Sequence, residues 1–130
     1  MRDDIKPGLE HTVTHTVDDD RAIRFMGEDV RVYATPNIVE DLEYGCRDLL
    51  KQHLPDDEDS VGAHVEVEHL RPTPLGFEVT HKITVEKADG RRVTFAIEVH
   101  DGVETVARGH HTRMIVKIAR LKAMVAAKLG

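Results

Sequence analysis

One long stretch of this chain, Asn37 to Leu54, repeats its apolar residues at the helical period, and most of what surrounds it alternates at period two. A helix of that length has one apolar stripe to bury, and a run of half-buried strands offers one sheet face to bury it on. At about 100° per residue from Ile38, the residues Leu49, Leu42, His53, Cys46, Val39 and Leu50 fall within an arc of about 120°. Glu43 falls between Leu50 and Leu54, at the edge of that stripe. The other acids of the segment, Glu40, Asp41 and Asp48, fall on the opposite side, where solvent is expected. Thr35-Pro36-Asn37 is a helix start, with proline suited to the first helical position and Thr35 able to cap it. Pro55 to Ser60, dense in acids, predicts a solvated loop that ends the helix.

Before the helix, Leu9, His11, Val13, His15 and Val17 alternate with polar residues and predict a strand that stops at Asp18-Asp19-Asp20. Residues 21 to 34 show no clear period. After the helix, a strand from Ala63 to Arg71 sets Ala63, Val65, Val67, His69 and Arg71 on one face, so that His69 continues a valine row. Pro72 and Pro74 break it. Phe77 to Val85 leads into Asp89-Gly90, a strong hairpin signal, and Val93 to Val99 returns. His100-Asp101-Gly102 turns into a last strand, Val103 to Val116, in which Gly109 reads as a bulge. Ile118, Leu121, Met124, Val125 and Leu129 recur at helical spacing. The expected architecture is α+β: one domain over residues 1–130, a curled antiparallel β-sheet wrapped around one long central helix, and a short C-terminal helix. An open sheet leaves unpaired edges, and a second copy is a common cover, so a homodimer or a tetramer is expected.

With 130 residues, a single core is enough. Aromatic residues make up 4% and tryptophan is absent, so that core must come from Val, Ile, Leu and Ala. The net charge of −6 argues against nucleic acid or an anionic membrane as a general partner. No apolar run approaches ~18 residues and the first residues show no hydrophobic signal region, so a soluble, cytoplasmic protein is expected. Cys46 is the only cysteine. It rules out an internal disulfide and a cysteine-based zinc cluster, and its place on the apolar stripe predicts a packed thiol. His11 and His15, four apart on a strand, are separated by roughly 13 Å, and His110 and His111 point to opposite faces, so no metal site is expected. The glycines do not follow a phosphate-loop spacing.

Two ionisable groups on buried-looking faces, Glu43 and His69, suggest chemistry. The ordered set Ala34-Thr35-Pro36, Leu42-Glu43-Tyr44-Gly45-Cys46, Val61-Gly62, Val65 to His69, Pro72 to Gly76 and His100-Asp101-Gly102-Val103 spans nearly the whole chain. In that order it resembles the fluoroacetyl-CoA thioesterase-like branch of the hot-dog-fold thioesterases. The resemblance implies a hot-dog dimer that hydrolyses acyl-CoA thioesters in clefts along the subunit interface, with no cofactor beyond the CoA of the substrate. It also implies a catalytic Thr, Glu and His at Thr35, Glu43 and His69. The chain lacks the family's aromatic-rich segment around the helix start, with Tyr33 and Tyr44 alone nearby, so the resemblance assigns no fluoroacetyl specificity.

Thioester cleavage suits these residue types. A carboxylate can activate water or attack the carbonyl to form a mixed anhydride, and an imidazole can carry a proton to the leaving sulfur. Thr35 can hydrogen-bond the carboxylate or the carbonyl, and free N–H groups at the helix start can meet the oxyanion. On a straight helix, however, Thr35 and Glu43 lie about 12 Å apart along the axis. A site shared between two subunits resolves that separation. Arg71, Arg92, Arg108 and Arg113 are candidate ligands for the CoA phosphates. The alternatives are a non-catalytic module that binds CoA or an acyl-carrier thioester, and a hot-dog hydratase or dehydratase, which would leave the thioester intact.

Overall fold

A computed structural model of residues 1–130 shows a five-stranded antiparallel sheet with one long helix on its concave face. The strands are β1 (Glu10–Thr16), β2 (Glu58–His69), β3 (Glu78–Asp89), β4 (Arg92–His100) and β5 (Thr105–Lys117). Helix α1 (Thr35–Lys51) precedes β2, and helix α2 (Ile118–Leu129) ends the chain. The spatial order is β1-β3-β4-β5-β2, so β1 and β2 are the two edges. This is the wrapped, α+β arrangement expected from the sequence.

Alternation decides the concave face. Val79, Ile83 and Val85 of β3, Val93, Phe95, Ile97 and Val99 of β4, and Ala107 and Ile115 of β5 are buried there with Ile38, Leu42, Cys46 and Leu49 of α1. The helix comes close because Gly45 has no side chain: a Cβ at that position would lie 2.5 Å from Cδ1 of Ile83. Cys46 is buried in this core, and burial pushes its thiol pKa up.

Several sequence expectations shift. The helix begins at Thr35 with Ala34 as its cap residue, so Thr35 is not the cap and its hydroxyl is free for another partner. The acidic stretch before Ala63 is not a solvated loop. β2 starts at Glu58, where Glu58 meets Arg91 Nη1 at 3.4 Å and Asp59 is held by Arg47 at 2.6 and 3.0 Å. Basic partners on neighbouring elements let acids enter the strand. Gly109 is not a bulge: it pairs in register with Val67 on one side and Ile97 on the other. The irregularity in β2 lies between Gly62 and His64. Residues 21 to 34 form short 3-10 turns and isolated bridges that fold over the end of α1. The C-terminal helix is present, but it buries none of its residues, and Met124, Val125 and Leu129 are exposed. No helix is long and apolar enough to cross a membrane.

Asp41, expected on the wet side of α1, is buried. It accepts hydrogen bonds from Arg21 Nε and Nη2, at 2.9 and 3.1 Å, and from the Tyr33 hydroxyl. Tyr33 spends its only proton on that carboxylate. His81 Nε2–H therefore donates to the Tyr33 oxygen, at 3.0 Å. Burial alone would raise the Asp41 pKa, but the bonds from Arg21 and Tyr33 outweigh it and hold the carboxyl below its usual range. Burial pushes His81 down to about 4. This network pins the irregular segment that leads into Thr35.

Candidate active site

Thr35 and His69 meet. His69 is the last residue of β2, Thr35 the first of α1, and the Thr35 hydroxyl lies 2.7 Å from His69 Nδ1. His69 Nε2 is buried and has no hydrogen-bond partner within the chain. Burial lowers the His69 pKa, so the ring is held neutral near pH 7. At the helix start, Pro36 has no N–H, and those of Asn37 and Ile38 both donate to the Ala34 carbonyl at 3.0 Å. That leaves the N–H of Thr35, beside its own hydroxyl.

Glu43 sits farther along the seam between α1 and β2, its side chain 39% exposed. Its imidazole neighbour is His111, with Oε1 3.8 Å from Nε2, rather than His69. His111 is opposite Val65 in the β2–β5 ladder and His69 is opposite Ala107, four residues away on each strand. At ~3.3 Å per residue that is roughly 13 Å. Within one chain the predicted carboxylate and imidazole are therefore served by different neighbours.

Around Glu43 the sequence reading missed a cluster. Arg113, one of the four arginines expected as candidate phosphate ligands, is buried. Its Nε donates to Ser60 Oγ at 2.7 Å, Nη2 to the Ser60 carbonyl at 2.8 Å, and Nη1 reaches His111 Nε2 at 3.1 Å. Desolvation lowers the Arg113 pKa. Strand alternation would have found both residues: Ala107, Gly109, His111, Arg113 and Ile115 share the concave face. Arg92 and Arg108 are exposed, and exposed Arg71 lies 3.6 Å from Glu104.

An open groove of about 410 Å³ runs past Glu43, lined also by Tyr44, Arg47, Asp59, Val61 and Arg113. A smaller hollow of about 190 Å³ lies beside His69, with Val32, Leu70 and Pro72. Between them the β2 edge exposes Val61 and Val65 and its unpaired backbone. The seam thus offers a carboxylate, an imidazole with a free nitrogen and a hydroxyl, the groups that hydrolysis of an activated ester requires.

Comparison with known proteins gives the arrangement a context. Residues 17–119 match the family described as FlK, fluoroacetyl-CoA-specific thioesterase. A fluoroacetyl-CoA thioesterase from Streptantibioticus cattleyicolor is 27% identical over 135 aligned positions, covering 98% of this chain and 97% of that protein. The solved structure of the fluoroacetyl-CoA thioesterase FlK superposes with a TM-score of 0.85 at 26% identity, covering 95% of this chain and 96% of that one. A hot-dog-like protein from Thermanaerovibrio acidaminovorans superposes with a TM-score of 0.90 at 25% identity, over 98% of this chain and 96% of its own. Fold, order of motifs and match over most of the chain agree: the protein has the hot-dog fold, belongs to the FlK family of fluoroacetyl-CoA-specific thioesterases, and is an enzyme of the thioesterase class.

Proposed function

We propose that this protein hydrolyses an acyl-CoA thioester to the free acid and CoA, with Glu43, His69 and Thr35 as the catalytic groups. The observation that carries the reading is the 2.7 Å contact of Thr35 with His69 Nδ1, which leaves Nε2 buried and without a partner on the seam that also holds Glu43. With the Thr35 hydroxyl donating to Nδ1, His69 keeps its proton on Nε2. That proton is the one delivered to the leaving thiolate. Glu43 activates water or attacks the carbonyl carbon, in the latter case forming an anhydride that water then cleaves. The free N–H of Thr35 faces the developing oxyanion.

Because Glu43 and His69 have different neighbours within a chain, the complete site is assembled by two copies. The β2 edge supports this reading, since it combines exposed valines with unpaired backbone. Such a homodimer, alone or paired into a tetramer, brings the Glu43 groove of one copy to the Thr35–His69 end of the other. The chemistry uses these side chains and water, with no further cofactor. The acyl group is small or short, by analogy with the fluoroacetyl-CoA thioesterases.

The test is release of free thiol from a panel of acyl-CoAs of graded chain length. Turnover is expected for at least one of them, and Glu43→Ala and His69→Ala are each expected to lower kcat at least about 100-fold with the fold intact. No turnover above buffer on any member, or wild-type rates in both variants, rejects the reading.

A further inference from the structure

We propose that His111 is a positioning residue for Glu43: a neutral imidazole whose Nε2 lone pair fixes the Arg113 guanidinium beside the carboxylate, and whose protonation abolishes that support. The proposal rests on Glu43 being the catalytic carboxylate.

Hydrogen-bond chemistry fixes the state of the ring. His111 Nδ1 lies 2.7 Å from the carbonyl oxygen of His64, which can only accept, so Nδ1 carries a proton. Nε2 lies 3.1 Å from Arg113 Nη1, which can only donate, so Nε2 carries the lone pair. One neutral tautomer satisfies both. The ring is fully buried and stacks on Phe95 with centroids 6.4 Å apart and planes at 25°, which keeps Nε2 directed at Arg113 while it is neutral. Arg113 is equally committed. It gives hydrogen bonds to Ser60 and His111, and no carboxylate lies within 4 Å of it, so its charge is available to the groove.

Three groups converge above Gly62. The position a Cβ would take there is 2.8 Å from Glu43 Oε1, 3.3 Å from His111 Cε1 and 3.7 Å from Arg113 Nη1. With His111 neutral, Arg113 is aimed at this point and Glu43 keeps its oxygen in the groove. Protonation of Nε2 sets two donors against each other at 3.1 Å, which displaces the Arg113 guanidinium and leaves Glu43 Oε1, 3.8 Å away, as the ion-pair partner of the ring. The charged and titratable groups around the ring all bear on that step. Glu43 acts on it from α1, Arg113 from β5 and His64 from β2, while β4 contributes Phe95. Burial, the largest influence, opposes the protonated ring, as do the charges of Arg113 and the His64 ring; the hydrogen bond to the His64 carbonyl and the Glu43 carboxylate favour it, and the net effect is a lowered pKa. The result is an acid limb in kcat, set by His111, in which activity falls as pH drops.

Two substitutions separate positioning from packing. His111→Asn retains a donor near Nδ1 for the His64 carbonyl but cannot reach Arg113. His111→Gln returns an acceptor near the Nε2 position but cannot be protonated. Asn is expected to lower kcat at least about 10-fold with KM within about threefold, and Gln to recover most of that loss while flattening the acid limb. Equal rates in both variants, or an unchanged acid limb in Gln, overturn the proposal. Nitrogen NMR of the wild-type imidazole supplies a measurement independent of turnover. A neutral ring protonated on Nδ1, whose pKa falls further in Glu43→Gln, is the expected result; a proton on Nε2, or no response to Glu43→Gln, also overturns it. If no acyl-CoA is turned over, the thioesterase reading fails by itself, and the NMR arm still decides whether His111 and Glu43 are coupled.

Discussion

Glycine at position 62 leaves a space that a carboxylate oxygen borders. Its missing Cβ would come within 2.8 Å of Glu43 Oε1, the far end of a flexible side chain. Gly62→Ala is therefore expected to displace Glu43, with a modest packing cost where the new Cβ meets Cε1 of the buried His111 ring at 3.3 Å. Activity on the preferred acyl-CoA should drop at least about 10-fold, while stability, followed by thermal melting, should stay within about 1 kcal/mol. Full activity in that variant would mean that Glu43 does not act from this position. At this scale much was legible from spacing alone. Glu43 and His69 stand out as ionisable residues on or beside apolar stripes, and both lie on the seam. Asp41 was misread for a definite reason: a helical wheel registers which side a residue faces, but not that the aperiodic segment carrying Arg21 and Tyr33 folds over that side.

Among the elements, α1 and the body of each of the five strands were readable because their apolar residues fall in runs of recognisable spacing between turn signals. The start of β2 was not, because acids that read as loop are matched by Arg47 and Arg91 from other elements. Nor was the role of Gly109, since a glycine in a strand signals either a bulge or a close approach. The structure selects the second: a Cβ there would lie 2.1 Å from the backbone carbonyl oxygen of Glu66. Backbone in mid-ladder cannot retreat as a glutamate tip can. Gly109→Ala is thus expected to push β2 away from β5 and to cost at least about 2 kcal/mol, read as a lowered denaturant midpoint. A midpoint equal to wild type would refute this account of the β2–β5 pairing. Helix α2 shows another limit of pattern reading, since a helical period forecasts the helix and says nothing about whether its apolar side finds a surface.

For the molecule as a whole, each chain holds its hydroxyl–imidazole pair at one end of the long helix and its carboxylate part-way along, beside a different histidine. If two chains share their sites through a twofold axis, two inactive proteins can repair one another. When Glu43→Ala and His69→Ala subunits are unfolded together and refolded in equal amounts, half of the dimers are mixed. Each mixed dimer then contains one site with both defects and one with neither, so about a quarter of wild-type activity should return. Sites built within single chains would return none. Genetic complementation between two null alleles would follow from nothing more than the distance between a threonine and a glutamate on one helix.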